Sequence, residues 1–132
     1  MLVGSVRGLP RSGLFAMHFH ENPAVPGNCA VVGEHFNPLH MRHGGPNDVI
    51  RHIGDEGNIV VSAGPGDGVA HIVKSDFMIS LRESVINSVI GRSLTIHART
   101  DDLGKGVNRE SGKSGNSGEK IACGTVTLSH EG

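Results

Sequence analysis

Residues 14–20 read Leu-Phe-Ala-Met-His-Phe-His. The stretch contains no glycine or proline and is apolar apart from its two histidines, which is typical of a β-strand. Successive side chains of a strand point to opposite faces, so His18 and His20 share one face while Met17 and Phe19 lie on the other. The sequence therefore predicts a strand that carries two neighbouring imidazoles on one face.

Other short apolar or alternating segments flank this strand. Gly, Asp or Asn residues separate them, and no segment has the longer period of a helix. Residues 64–68, Gly-Pro-Gly-Asp-Gly, are predicted to form a hairpin turn, and residues 82–87 a further connection. This spacing indicates an all-β sandwich or Greek-key barrel. The predicted strands are residues 2–7, 14–20, 58–62, 69–74, 77–81, 93–98 and 121–129.

Composition sets the broad class of the protein. A chain of 132 residues is expected to form one domain, residues 1–132. Twelve Lys and Arg against thirteen Asp and Glu give a net charge of −1 without a basic stripe, which argues against nucleic-acid binding. The apolar runs are far shorter than the roughly 20 residues of a membrane span. Residues 1–15 contain no apolar signal segment, so a cytoplasmic location is favoured, and an upstream signal leaves an extracellular location open.

Two long stretches have too little apolar content for strands. Residues 21–56 hold four of the six prolines, and residues 99–120 are mostly Gly, Lys, Asn, Ser and Asp. Loops of this length are usually functional or disordered. Since His35, His40, His43 and His52 lie in the first loop and Asp55 follows them, a metal ion is expected to order it.

The spacing of these histidines predicts two kinds of metal ligand set. His18 and His20 could be joined by His97 if their strands are neighbours, and three imidazoles on rigid strands suit copper or zinc. The alternative for a His-x-His pair is a solvated strand face. In the loop, three histidines and one carboxylate form a closed zinc set if His35 joins the other three. The alternative there is a group of surface histidines. That loop set is His35, His43, His52 and Asp55.

Several ordered motifs together resemble the copper/zinc superoxide dismutases. The resemblance covers nearly all of residues 1–132, with the motifs in the family's order and spacing. In the first half they are Met17-His18-Phe19-His20-Glu21, Gly33-Glu34-His35-Phe36-Asn37-Pro38, His43-Gly44-Gly45-Pro46 and Arg51-His52-Ile53-Gly54-Asp55-Glu56-Gly57-Asn58. In the second half they are Gly91-Arg92-Ser93-Leu94-Thr95-Ile96-His97, Asp101-Asp102-Leu103-Gly104-Lys105-Gly106 and Ile121-Ala122-Cys123-Gly124.

This resemblance implies the roles of individual residues. Copper is expected on His18, His20, His35 and His97, and zinc on His35, His43, His52 and Asp55. His35 is then an imidazolate shared by both ions. The resemblance also implies that Asp101 links a copper-site histidine to a zinc-site histidine. Cys29 and Cys123 match the family's disulfide.

The resemblance also implies a fold and partners. The expected fold is a flattened, immunoglobulin-like Greek-key β-barrel or sandwich of about six strands, with two long functional loops. The family's first two strands are absent upstream of residue 1, which is expected to leave two strand edges unpaired. A homodimer is expected, with Ile90, Gly91 and Leu128 at its contact, and a copper chaperone is a further candidate partner. The chain could be a fragment, a shortened form or one completed by a partner.

The implied activity is disproportionation of superoxide. Cu(II) oxidises one superoxide to O₂, and Cu(I) reduces a second one to peroxide with the uptake of two protons. In the family, His35 leaves Cu(I), takes up a proton and supplies it, while zinc holds the ring. The catalytic residues are therefore expected to be His35 and Lys120, which stands where the family usually has arginine. Lysine keeps the charge but lacks the planar fork, so slower turnover is expected.

Two other classes of function remain open from the sequence. One is a dismutase-like metal-binding or copper-delivery module, and the other is an inactive homologue. The complete ligand set argues against the first, and Lys120 and the missing strands are the only support for the second. Arg109 is interpreted as a solvated loop charge, and His40, His71 and His130 as surface residues.

Overall fold

A computed structural model of the chain describes residues 1–62 and 67–129. In these residues the fold consists of strands with three long connections, residues 21–54, 75–92 and 98–119. A four-residue 3₁₀ turn, Cys29–Val32, and a four-residue helix, α1 (Ser111–Ser114), are the helical elements there. The strands are β1 (Leu2–Leu9), β2 (Gly13–His20), β3 (Asp55–Ser62), β4 (Gly68–Lys74), β5 (Ser93–His97) and β6 (Lys120–Thr125).

The six strands form one antiparallel sheet in the order β1-β4-β3-β2-β5-β6. Strands β2, β3 and β4 are neighbours in sequence and in space, and β1 returns to lie beside β4, which is the Greek-key arrangement. The predicted all-β Greek-key class is therefore confirmed, although the sheet curls into a half-barrel and does not close. Strand β2 lies between β3 and β5 and is buried from Phe15 to His20.

The two faces of β2 serve different purposes. Phe15 and Met17 are fully buried in the main apolar cluster, which also contains Ile59, Val61 and Ile96. Burying a side chain of this size stabilises the fold by about 1.5–3 kcal/mol. His18 and His20 project from the opposite face, as the period of two predicted. A second cluster of Phe19, Phe36, Ile53 and Val89 packs the first long loop against the sheet.

A disulfide joins the first long loop to the last strand. Cys29 in the 3₁₀ turn is bonded to Cys123 in β6, with their Cα atoms 5.8 Å apart. The predicted pairing is confirmed, and it connects residues 94 positions apart in sequence. The loop is thereby held beside β6, where the Ala24 backbone N–H also donates to Thr125 Oγ1.

Several predicted strand limits differ from the structure. Residues 77–81 do not form a strand. Phe77 is 96% exposed, no residue of the segment is buried, and it pairs only through an isolated bridge between Ser80 and Ser88, so neither a buried face nor a ladder of hydrogen bonds holds it as a strand. Strand β3 begins earlier than predicted, at Asp55, and β6 ends at Thr125. Of the predicted hairpin turn, residues 64–66 lie outside the described residues, as does His130.

Both outer strands of the sheet have an unpaired edge among the described residues. Strand β1 pairs only with β4, and β6 pairs only with β5, as the sequence predicted. Leu2 and Val6 on β1 and Ile121 and Ala122 on β6 are only partly buried against the main apolar cluster. The core is therefore open along these two edges. None of the helices in residues 1–62 and 67–129 has the length and apolar content needed to span a bilayer.

Candidate metal centre

Four histidines meet on one face of the sheet. Strand β2 supplies His18 and His20, and β5, its antiparallel neighbour, supplies His97. His35 arrives from the first loop through a bridge to His20. All four are buried, and each places one ring nitrogen within 4.8 Å of the others. The predicted copper ligands are thus brought together, with His20 Nε2 and His97 Nε2 only 3.0 Å apart.

The other ring nitrogens of this group are held by neighbours. His20 Nδ1 is 2.8 Å from the Gly33 carbonyl oxygen, and His97 Nδ1 is 3.0 Å from that of Gly118. His18 Nε2 lies 2.7 Å from Asp101 Oδ2. These contacts fix which nitrogen each ring turns toward the centre, as is usual for histidines that bind metals.

A second donor group forms around one carboxylate oxygen. Asp55 Oδ1 lies 3.0 Å from His35 Nδ1, 2.9 Å from His43 Nδ1 and 3.3 Å from His52 Nδ1. The other oxygen, Oδ2, accepts from the backbone N–H groups of Gly44 at 3.0 Å and His52 at 2.8 Å. Three imidazole nitrogens and one carboxylate oxygen are the ligands of a tetrahedral zinc site.

His18 also lies close to this second group. Its nearest nitrogen falls within 4.8 Å of donor atoms on His35, His43 and Asp55. Its Nε2 is already engaged by Asp101, and its Nδ1 belongs to the first group. We therefore take His52, whose Nδ1 is 3.2 Å from His35 Nδ1, as the fourth member of the second group.

Buried nitrogens without hydrogen-bond partners mark both groups. Among the described residues the buried side-chain atoms without a partner include His18 Nδ1, His35 Nε2 and His43 Nδ1. Leaving such an atom unsatisfied costs about 1–3 kcal/mol. His43 Nδ1 is near Asp55 Oδ1 but is not aligned for a hydrogen bond with it. Two metal ions would satisfy these nitrogens, so the residues present fit copper and zinc.

Asp101 connects the two groups through both of its oxygens. Oδ2 lies 2.7 Å from His18 Nε2, and Oδ1 lies 2.7 Å from His43 Nε2. The carboxylate is buried, and Asn58 holds its backbone on both sides, accepting from Asp101 N at 2.7 Å and donating to Asp101 O at 3.0 Å. The arrangement matches the linking role that the resemblance implied.

The protonation of the centre follows from burial and from the two carboxylates. Burial, with the charge of nearby imidazoles, lowers the pKa of His18 and brings those of His20 to about 2 and His97 to about 4. Burial also opposes a charge on His43, but the hydrogen bond to Asp101 and the nearby carboxylates of Asp55 and Asp101 outweigh it and raise its pKa to about 9. The pKa of Asp101 is held below its usual range because hydrogen bonds from His18 and His43 outweigh the effect of burial. Neutral imidazoles are the form that binds metal.

An open cavity of about 1020 Å³ leads to the first donor group. His20, His35 and His97 line it, and cationic side chains around it are Arg92, Arg99, Lys113 and Lys120. Lys120 begins β6 and is paired in register with His97. The charge of Lys120 contributes to the lowered pKa of His97, after burial and His35. Arg109 is exposed and does not line the cavity, and His40 and His71 are exposed.

The structure adds residues that sequence reasoning missed. Arg51 is buried and stabilises the first loop through three hydrogen bonds to its backbone. It donates to the carbonyl oxygens of Pro46 at 2.8 Å, His52 at 2.9 Å and Ile53 at 2.7 Å. It also pairs with Asp76 at 2.9 Å. The one signal in the sequence was its position beside His52.

Glu56 was also missed as part of this region. It is buried beside Asp76, and burial together with the hydrogen bond and charge of Asp76 raises its pKa to about 9. The neighbouring sequence does not predict the raised pKa of Glu56, because the residue follows Asp55 in an ordinary strand pattern. The neighbours that hold it neutral come from a different connection of the sheet.

Comparison with known proteins places these features in a family. The sequence model of a family described as "Copper/zinc superoxide dismutase (SODC)" matches residues 1–126. The extracellular superoxide dismutase [Cu-Zn] of Brugia pahangi is 47% identical over 129 residues, which cover 96% of this chain and 62% of the relative. The superoxide dismutase [Cu-Zn] of Onchocerca volvulus is 46% identical over 130 residues, which cover 96% of this chain and 78% of the relative.

A solved structure shares the fold. The crystal structure described as that of the clock protein EA4 superposes with a TM-score of 0.83 at 41% identity, covering 93% of this chain and 74% of that one. The chain spans about three fifths of the length of the first curated relatives it matches, 62% and 61%. The relatives include proteins named as extracellular and proteins whose names carry no location.

Proposed function

Because this chain belongs to the copper/zinc superoxide dismutase family, we propose that it converts two superoxide ions and two protons into O₂ and hydrogen peroxide. The observation that carries the proposal is the position of His35 between the two donor groups. Its Nδ1 contacts Asp55 of the second group, while its Nε2 is buried without a partner and belongs to the first. A single imidazole thus connects a strand-borne group to a loop-borne one.

Copper is proposed to bind His18, His20, His35 and His97, and zinc to bind His35, His43, His52 and Asp55. Three of the four imidazoles of the first set, those of His20, His35 and His97, line the open cavity, whereas His43 and Asp55 of the second set do not, which suits an electron-transfer ion and a structural ion respectively. Bound copper supplies one-electron chemistry by alternating between two oxidation states.

His35 is proposed to move a proton at Nε2. Its Nδ1 faces Asp55 Oδ1 at 3.0 Å, on the side where zinc would bind, so the ring is held from that side whether or not Nε2 carries a proton. Burial lowers the pKa of His35, although its hydrogen bond to Asp55 opposes this shift. A proton on Nε2 is therefore readily given up to an oxygen atom in the cavity, where peroxide forms.

Lys120 is proposed to attract and position the anion. It lies at the cavity beside His97, where an ammonium group adds positive charge to the approach. An ammonium is a point charge on a flexible stem and lacks the rigid fork of arginine. Turnover is therefore proposed to be slower than that of relatives with arginine at this position.

The family also implies a second copy of the chain, and we propose a homodimer through the surface around Ile90, Gly91 and Leu128. Leu128 is 40% exposed and Gly91 is exposed in the single chain, while Ile90 is half-buried. Light scattering over a range of concentrations should give the mass of two chains, and Leu128→Glu should shift it to one. A wild-type mass of one chain at all concentrations contradicts the dimer.

Metal analysis combined with superoxide consumption tests the function. The wild-type protein is expected to bind copper and zinc and to consume superoxide catalytically. His35→Ala should reduce turnover by more than about 100-fold, beyond the loss expected for a residue that merely supports a metal ligand. His71→Ala, which removes an exposed histidine on β4, is the matched control and should leave turnover unchanged. Bound zinc without turnover in the wild-type protein contradicts the proposal and favours a metal-binding module.

A further inference from the structure

A histidine and a methionine, neighbours in sequence, lie at the open cavity that leads to the first donor group. His40 is exposed and Met41 is half-buried, and both line the cavity that His20, His35 and His97 also line. Neither residue belongs to the two donor groups. They are therefore side chains with metal-binding atoms that the catalytic centre does not use.

The backbone at this position is unusual for a residue with a side chain. His40 has a φ of 55°, in the left-handed region that glycine adopts without strain. Any other residue is strained there, and such strain is concentrated at functional sites. His40 thus carries a side chain at a position where glycine would be unstrained.

Asn37 holds this turn in place. Its Oδ1 accepts from Met41 N at 2.9 Å, its Nδ2 donates to Met41 O at 2.9 Å, and its carbonyl oxygen accepts from His40 N at 3.2 Å. Three hydrogen bonds from one residue fix the backbone of both His40 and Met41. The pair is therefore presented to the cavity by a rigid turn.

The chemistry of the pair selects its ligand. A thioether is a soft ligand that favours Cu(I), and imidazole also binds copper, whereas carboxylates prefer harder ions. The remaining side chains with metal-binding atoms at the cavity, apart from the histidines of the centre, are the carboxylates of Glu21, Glu34 and Glu110. Among the described lining residues, Met41 is the one that offers sulfur.

We propose that His40 and Met41 capture Cu(I) at the cavity mouth and pass it to the first donor group. This inference rests on the proposed copper site and concerns how that site is filled. The transfer exchanges ligands without changing the oxidation state of copper. A site with two donors binds Cu(I) more weakly than the first donor group with its four imidazoles, so the ion passes to that group.

The rate of copper uptake tests the pair. Metal-free protein is mixed anaerobically with the coloured bicinchoninate complex of Cu(I), and the loss of its absorbance is followed by stopped flow. His40→Gly and Met41→Leu should each slow uptake by roughly tenfold, the lower end of the loss expected when support for a metal site is removed. The final copper content should match the wild type. Uptake of Zn(II) should keep its rate, because a thioether does not favour zinc.

Matched variants separate this role from general damage. His71→Gly and Met78→Leu change an exposed histidine and an exposed methionine that do not line the cavity, and should load copper at the wild-type rate. His40→Gly relieves a strained position, so its melting temperature should not fall. Wild-type rates in His40→Gly and Met41→Leu, or equal slowing of zinc, overturn the capture site. A wild-type protein that takes up no copper overturns the proposed function as well.

Discussion

The centre of the sheet and its edges differ in how completely their strands are paired and their side chains are buried. Strands β2 and β5 are paired on both sides, and the histidines they carry are buried and oriented by neighbours. Strands β1 and β6 are paired on one side each, with apolar side chains only partly covered. The atoms without partners at the centre are imidazole nitrogens that metal ions would satisfy, whereas at the edges they are backbone groups beside partly covered apolar side chains. Metal removal and edge changes should therefore affect different parts of the molecule.

Metal removal should have the largest effect, and it should act on the centre. At metal concentrations about a thousand times the dissociation constant, binding stabilises the folded state by about 4 kcal/mol per site. Chelation should lower the free energy of unfolding by at least that amount, as measured by urea titration. Hydrogen exchange should speed up in the loops of residues 21–54 and 99–119, while β1 should change little. Equal loss of protection in β1 contradicts the separation of the two regions.

Loss of the disulfide should have the second-largest effect on stability, because the disulfide connects the first long loop to the edge strand β6. Removing a native disulfide usually costs about 2–4 kcal/mol, and this one closes a long segment. Cys29→Ser with Cys123→Ser should lower the urea midpoint with little change in metal content. If the double variant loses zinc completely, the disulfide also shapes the metal centre.

Acid should destabilise the metal-free protein through its buried histidines. His20 and His97 have folded pKa values of about 2 and about 4, below the ordinary 6.5, so the unfolded chain binds more protons as pH falls below 6.5. Stability is then lost by roughly 1.4 kcal/mol per pH unit for each such proton, from pH 6.5 down to about 4 for His97.

His43 acts in the opposite direction. Its raised pKa of about 9 gives stability that is present below pH 6.5 and lost as pH rises through 9. Urea titrations of the metal-free protein should therefore show a stability maximum near pH 6.5, with losses on both sides of it. A His97→Gln variant should have a shallower slope below pH 6.5, and an unchanged slope contradicts the assignment.

Lys120→Arg should change rate rather than stability. The arginine fork restores hydrogen bonding to a small anion, so kcat/KM for superoxide should rise by less than about tenfold, which corresponds to 1.4 kcal/mol. Lys120→Gln should lower it and should weaken its dependence on ionic strength, while Arg92, Arg99 and Lys113 keep part of that dependence. Lys105→Gln, an exposed lysine outside the cavity lining, is the matched control.

A charge on the open edge should have the smallest effect on stability. Val3 on β1 is exposed, so Val3→Lys should change the free energy of unfolding by less than about 0.5 kcal/mol. It should nevertheless reduce association at high concentration, because charges on an edge strand oppose pairing with another chain. Light scattering of both proteins checks this. Unchanged association indicates that the open edges do not drive self-contact.

Local sequence patterns predicted the strands well and their ends less well. Strands β1, β2, β4 and β5 lie within one or two residues of the predictions, since each is a short apolar or alternating segment bounded by turn residues. Residues 77–81 have a similar pattern but no strand, because they bury no side chain and do not pair along either open edge of the sheet. The family resemblance, rather than any local pattern, was the basis for pairing Cys29 with Cys123.

By itself, the sequence determined that His18 and His20 share one strand face, because alternation along a strand is a local property. It also determined that the first loop is rich in histidine and poor in apolar residues. Only the tertiary structure decided that β5 lies beside β2, that His35 stands between two donor groups, and that Asp101 reaches both His18 and His43. Those contacts join residues up to 83 positions apart, and their distances depend on strand order and register, which local patterns do not specify.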